Sequence, residues 1–136
     1  MADKIKVLLV DDETEFTEPL TYWLESKDYE VEAAADGKSA IELIRKGRPH
    51  IVFLDLRMPI MGGIETLRHI RQIDKTLPVV IITMAYTDKE KFAEAERLGI
   101  SGFFPKKKSF EELGRMIEVT LRTHKYLSKK KDDESE

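Results

Sequence analysis

Short apolar runs and longer stretches of helical periodicity alternate along the chain. "IKVLLV" (5 to 10), "YEVEAAA" (29 to 35), "IVFL" (51 to 54), "VVIIT" (79 to 83) and "GFF" (102 to 104) have the length and composition of strands. Between them Phe16, Leu20, Trp23 and Leu24 recur at helical spacing. So do Ala40, Ile41 and Ile44, then Ile64 and Leu67, then Phe92, Ala95 and Leu98, and last Phe110, Leu113, Ile117 and Leu121. The pattern predicts a βα unit repeated five times. Breakers fall at the seams: Asp36 and Gly37 open the second helix, Gly47 and Pro49 close it, Pro78 precedes the fourth strand, and Gly99 follows the fourth helix. Pro19 leaves one boundary open. A first helix starting at Thr14 loses an internal hydrogen bond to it, whereas with Thr17 as the cap the ring sits harmlessly in the first turn.

Alternation of this kind implies a parallel sheet covered by helices on both faces, and right-handed crossovers leave few topologies for five strands. The 136 residues suit one domain with a hydrophobic core. A composition of 41% hydrophobic and 36% charged residues, with a net charge of −3, is that of a soluble globular chain without a general attraction for polyanions. Nucleic acid is therefore not an expected partner. The absence of cysteine rules out a disulfide framework, a thiolate metal site and a Cys nucleophile. The opening "MADKIKVLLVDDE" runs from a short apolar stretch straight into acids, too short for a bilayer and without a small-residue cleavage site. No membrane association is expected, and a cytoplasmic location is.

The chemistry begins at Asp55, where a strand apolar enough to be buried on both faces ends in a charge. In an open α/β sheet, ligands bind beyond the carboxyl ends of the strands. Asp55 lies at such an end; so do Asp11 and Asp12 after "KVLLV", Thr83 at the close of "VVIIT", and Lys106 just past "GFF". Three crowded acids call for a divalent cation, and oxygen-only ligands suit Mg²⁺. A carboxylate beside Mg²⁺ can act as a nucleophile toward phosphorus, with Lys106 and Thr83 supplying charge and alignment to the phosphoryl oxygens. Taken singly, each residue has a plainer reading. Asp11 and Asp12 could cap the first helix, Thr83 could be a strand former, and Lys106 belongs to a solvated "KKK" run. Asp55 alone could open a turn before Met58 and Pro59. Their shared edge, in the order of successive strands, is what favours a site.

On these residues the chain resembles the receiver domains of two-component response regulators, and most closely the single-domain, chemotaxis-type members. The match runs without a gap from Lys4 to about Leu121. "LLVDDE" (8 to 13) is similar to the acidic pocket, "DLRMPIMGGIE" (55 to 65) to the phosphorylation loop, "IIT" (81 to 83) to the switch threonine, and "GISGFFPKKKSFEEL" (99 to 113) to the lysine loop. The resemblance implies a flavodoxin-like α/β fold with strand order 2-1-3-4-5, a receiver domain over 1–124, and a charged tail or helix extension over 125–136. It implies that Asp55 accepts phosphate from a histidine kinase or histidine phosphotransfer protein, and that the chain is a signalling phosphoacceptor rather than an enzyme with an outside substrate. Asp12 and Asp55 would bind Mg²⁺ directly, Asp11 through water and Arg57 through its backbone carbonyl, while Thr83 and Lys106 hold the phosphoryl oxygens. Thr83 and Phe103 would then move, altering the face of the fourth helix, fifth strand and fifth helix toward a downstream protein. The state expected is a monomer or a phosphorylation-dependent homodimer.

Four positions depart from the family pattern. Lys107 stands where a proline in a cis peptide usually follows the lysine, and Phe104–Pro105 offers another place for such a bond. Met84 replaces a small residue, and its bulk is expected to shield the acyl phosphate from water. Gly62 replaces a common Asp, and Phe103 a frequent Tyr. The charged "THKYLSKKKDDESE" ending holds no second core, so any output is expected to be bound rather than attached; a disordered tail is slightly favoured there over a longer helix. Two rivals stand beside this reading. One is a receiver-like binding module that works without phosphorylation. The other is a phosphatase of the haloacid dehalogenase type, whose D-x-D motif after the first strand and substrate cap are both missing here.

Overall fold

The computed structural model describes residues 4–58, 60–84 and 88–134. Along the chain run β1 (Lys6–Val10), α1 (Thr14–Ser26), β2 (Glu30–Ala34), α2 (Gly37–Lys46), β3 (Ile51–Asp55), α3 (Gly63–Ile73), β4 (Val79–Thr83), α4 (Lys89–Leu98), β5 (Gly102–Pro105) and α5 (Phe110–Glu134). The strands form one parallel sheet in the order β2-β1-β3-β4-β5. Strand alternation divides the core. Leu8, Val10, Val52, Leu54, Val79 and Ile81 face α2, α3 and α4, while Val7, Leu9, Ile51, Phe53, Val80 and Ile82 face α1 and α5. With helices on both faces the central strands carry no solvent side, which is why β3 and β4 are buried at every position, Asp55 included.

Local signals act as the sequence suggests at most seams. Asp36 caps α2 by accepting from the Ser39 amide at 2.8 Å. Asp88 does the same for α4 through Lys91, and Gly99 ends α4 at φ +92°, a conformation glycine adopts at little cost. The first helix takes the earlier of its two possible starts: it begins at Thr14, so Pro19 lies inside it and Thr17 is buried rather than capping. Pro19 is exposed, and the Glu15 carbonyl it leaves without an amide belongs to an exposed residue, where water can serve instead. No described peptide bond is cis, neither Phe104–Pro105 nor Lys106–Lys107. At the other end α5 continues to Glu134, through a charged segment where a tail was the favoured expectation. Elongating a formed helix adds a hydrogen bond per residue, which offsets the ordering of a polar stretch. Met1 to Asp3, Pro59 of the proposed turn and the last two residues of that segment lie outside the described residues.

Arg71 ties the far side together. Its guanidinium donates to the carbonyls of Asp74 (2.9 Å), Leu77 (2.9 Å), Leu98 (3.1 Å) and Gly99 (2.7 Å), joining the end of α3 to the approach to β4 and the end of α4. Arg71→Ala is expected to lower stability by about 2 kcal/mol in urea unfolding, because those carbonyls lose a charged donor in a half-buried place. Among the described residues no helix is long and apolar enough to cross a membrane.

Candidate functional site

Parallel pairing carries the chemistry to one edge. Asp55 closes β3 opposite Ile82, Thr83 closes β4 opposite Pro105, and Lys106 follows directly, its amide donating to the Thr83 carbonyl at 2.8 Å. Asp11 leaves β1 one residue beyond the Val10–Leu54 pair, with its amide on the Ala34 carbonyl at 3.0 Å. The side chains of Asp11, Asp55 and Lys106 are almost wholly out of solvent, 0%, 6% and 3% exposed. Asp12 is exposed at the mouth. Ligand atoms of Asp11, Asp12 and Asp55 all lie within 4.8 Å of one another.

The Lys106 ammonium is the counter-charge of this pocket. It stands 2.7 Å from Asp11 Oδ2 and 3.4 Å from Asp55 Oδ2, pairs with Glu13, and lies 5.2 Å from the centre of the Phe16 ring. Asp55 Oδ1 accepts from the Arg57 amide at 3.0 Å, and Asp11 Oδ1 accepts from the Glu13 amide at 3.0 Å. Asp11 Oδ2 is buried and takes no aligned hydrogen bond, although the ammonium is close enough to pair with it. Two buried carboxylates around one cation leave Asp55 hard to ionise. Burial, with the Asp11 charge adding to it against the Arg57 amide and Lys106, pushes its carboxyl up from 3.8 to about 6. Burial works against charge on Lys106 as well, but its pairing with Asp11, Glu13 and Asp55 outweighs it and holds the ammonium above the ordinary lysine range. The lysine stays charged wherever the acids do.

Such a pocket suits a divalent cation. Three clustered carboxylates and a buried carboxylate oxygen without an aligned donor offer the hard oxygen ligands that Mg²⁺ takes. The cluster fits that ion by its donor set alone.

Asp11, Asp12, Asp55 and Lys106 are thus brought together as a group. Thr83 is buried at the same edge and lines a cavity of about 480 Å³ with Leu56, Arg57, Asp88 and Phe92. Arg57 meets Asp55 through its amide. Phe103 is half-buried, one strand position before Phe104, and meets Phe92 of α4 edge-on at 4.9 Å. Met84 stands just past Thr83, 52% exposed. Gly62 is the N-cap residue of α3, and it offers that helix no side-chain cap. Two contacts had no sequence signal of their own: Glu13, which sits inside "LLVDDE" without an assigned role, and Phe16, which reads only as one of the apolar positions of α1.

The geometry has known counterparts. Residues 7–118 match the family model described as the response regulator receiver domain. The response regulator MprA of Mycolicibacterium vanbaalenii is 34% identical over 118 residues, covering 87% of this chain and 51% of that protein. The chain thus spans about half the length of the curated relatives it matches. Among solved structures, the chemotaxis protein CheY4 of Vibrio cholerae is 31% identical with a TM-score of 0.81, over 87% of this chain and 99% of that one. A two-component response regulator of the LuxR family from Aurantimonas sp. is 37% identical with a TM-score of 0.77, over 89% and 87%. Fold and sequence agree on one assignment: this chain belongs to the response regulator receiver domains of two-component systems.

Proposed function

We propose that Asp55 accepts a phosphoryl group from a phosphohistidine donor, a histidine kinase or histidine phosphotransfer protein, and that the modified domain controls a partner through its α4-β5-α5 face. The observation that carries the reading is a buried carboxylate at the end of β3, held between a buried lysine and two further acids. An Asp55 carboxylate oxygen attacks phosphorus as the bond from phosphorus to the donor imidazole nitrogen breaks. The nitrogen keeps the bonding pair, and an acyl phosphate remains. Lys106 meets the charge on the transferred group, Thr83 at the end of β4 bonds one of its oxygens through the hydroxyl, and the Arg57 amide, which donates to Asp55 Oδ1, keeps the carboxylate in register. Asp11, Asp12, Asp55 and the Arg57 carbonyl would hold Mg²⁺, which supplies neutralising charge when bound. Later attack by water on phosphorus returns the carboxylate and inorganic phosphate, so the domain turns over only its own modification. The phosphoryl group adds close to two negative charges beside Lys106 and Thr83, and that charge is the trigger for moving Thr83 and Phe103. The partner fitted to the altered face is a protein, met by a monomer or by a homodimer formed on phosphorylation.

Incubation with acetyl phosphate tests the reading by intact mass. A gain of one phosphoryl group is expected with Mg²⁺, and none without Mg²⁺ or in Asp55→Asn. No gain under any condition would favour a receiver that works as a fixed binding surface. Met84 gives a second expectation. Its exposed side chain beside Thr83 screens the acyl phosphate, so Met84→Ala should lose the label several-fold faster after donor removal. An unchanged decay contradicts that role.

A further inference from the structure

Glu13 takes no part in the phosphoryl transfer assigned to Asp55, Thr83 and Lys106. It is the N-cap residue of α1, yet its side chain makes no capping bond; it reaches instead to the Lys106 ammonium, while remaining 54% exposed. Lys106 therefore has two partners inside the acidic cluster, Asp11 and Asp55, and one outside it. A metal ion and an ammonium cannot both be the close counter-charge of Asp11 and Asp55, since like charges in so small and buried a space repel. The lysine must give ground when the metal enters, and a buried ammonium stripped of its acids is costly.

Resting on the Mg²⁺ reading of the cluster, we infer that Glu13 is a positioning residue that holds Lys106 as the ammonium withdraws from Asp11, and thereby makes room for the divalent cation. Glu13 is not one of the metal's own ligands in this account. Its effect passes through the lysine. The exposed side of the pair limits its strength, so a change of about threefold in metal affinity is the expected scale.

The inference separates from a simple through-space charge effect in a double-mutant cycle. Wild type, Glu13→Gln, Lys106→Met and the double variant are titrated with Mg²⁺ alone, and binding is followed by amide NMR shifts, without any phosphodonor. Glu13→Gln should weaken Mg²⁺ binding about threefold when Lys106 is present, and much less in the Lys106→Met background. Lys106→Met by itself should tighten it. Equal weakening by Glu13→Gln in both backgrounds overturns the positioning role and leaves the metal site standing. No saturable binding in any of the four proteins overturns the metal site, and this inference with it.

Discussion

Asp55→Asn is expected to make the metal-free domain more stable at neutral pH, although it removes the residue on which the proposed function depends. The cause is the raised carboxyl. In the folded chain Asp55 titrates at about 6 rather than 3.8, because burial and the Asp11 charge oppose its ionisation. A carboxylate with a raised folded-state pKa favours the fold below its unfolded value, and that contribution is lost as pH rises from about 4 through about 6. Above that window the wild type carries a buried charge it is reluctant to hold, and the amide does not. A shift of this size corresponds to about 3 kcal/mol as an upper bound. The amide must still serve the Arg57 N–H and face the Lys106 ammonium, so a gain of about 1 to 3 kcal/mol is the expected result at pH 7.5. The gain should fade below pH 4, where wild-type Asp55 is protonated in both states. Adding Mg²⁺ should narrow it, since an ion that binds only the folded wild type stabilises it by mass action. Urea unfolding of both proteins across pH checks all three statements. A variant less stable than wild type at neutral pH contradicts this electrostatic picture.

Gly63→Ala should have the opposite sign and a comparable size. Gly63 opens α3, and a Cβ there would lie 2.5 Å from the Asp55 carbonyl oxygen and 2.5 Å from Leu56 Cα. Both are backbone atoms, so no rotamer change relieves the contact; either the first turn of α3 or the end of β3 has to move. A loss of about 3 kcal/mol in urea unfolding is expected, at the upper end of overpacking costs. Because the displaced backbone belongs to Asp55 and Leu56, slower phosphoryl uptake should accompany the loss. Gly62 provides the control. Nothing lies within 4 Å of a Cβ built there and its φ is −67°, so Gly62→Ala should lose only about 1 kcal/mol or less, the effect of alanine as a poorer N-cap. Similar losses in both variants would mean that the close approach at Gly63 is not the cause.

These two residues also mark how much of the molecule was legible beforehand. The sheet was readable because each strand is a compact apolar run and each helix repeats its apolar stripe, so that strand ends, and with them Asp11, Asp55, Thr83 and Lys106, fall on one edge by topology alone. Asp36 and Gly99 acted locally, through side-chain capping or backbone preference, and local effects are visible in sequence. What stayed hidden depends on distance across the chain. The Lys106 ammonium meets Glu13 over 93 residues of separation, and Arg71 gathers carbonyls from two further segments. Neither follows from periodicity or spacing. Pro19 shows the other limit: it leaves two starts open for α1, and the helix begins at Thr14, with Thr17 on the buried face beside Leu20 and Leu24. The tight approach of Gly63 to the end of β3 is likewise a packing fact, set by how α3 folds back over the strand.

The most direct test of the central claim is to locate the acyl phosphate. Protein treated with acetyl phosphate and Mg²⁺ is reduced with borohydride, which converts an acyl phosphate to an alcohol and leaves free carboxylates alone, and the peptides are then mapped by mass. Homoserine at position 55, absent when Mg²⁺ is withheld, is the predicted result. Reduction at Asp11, Asp12 or Glu13, or at no residue of the chain, would contradict the account.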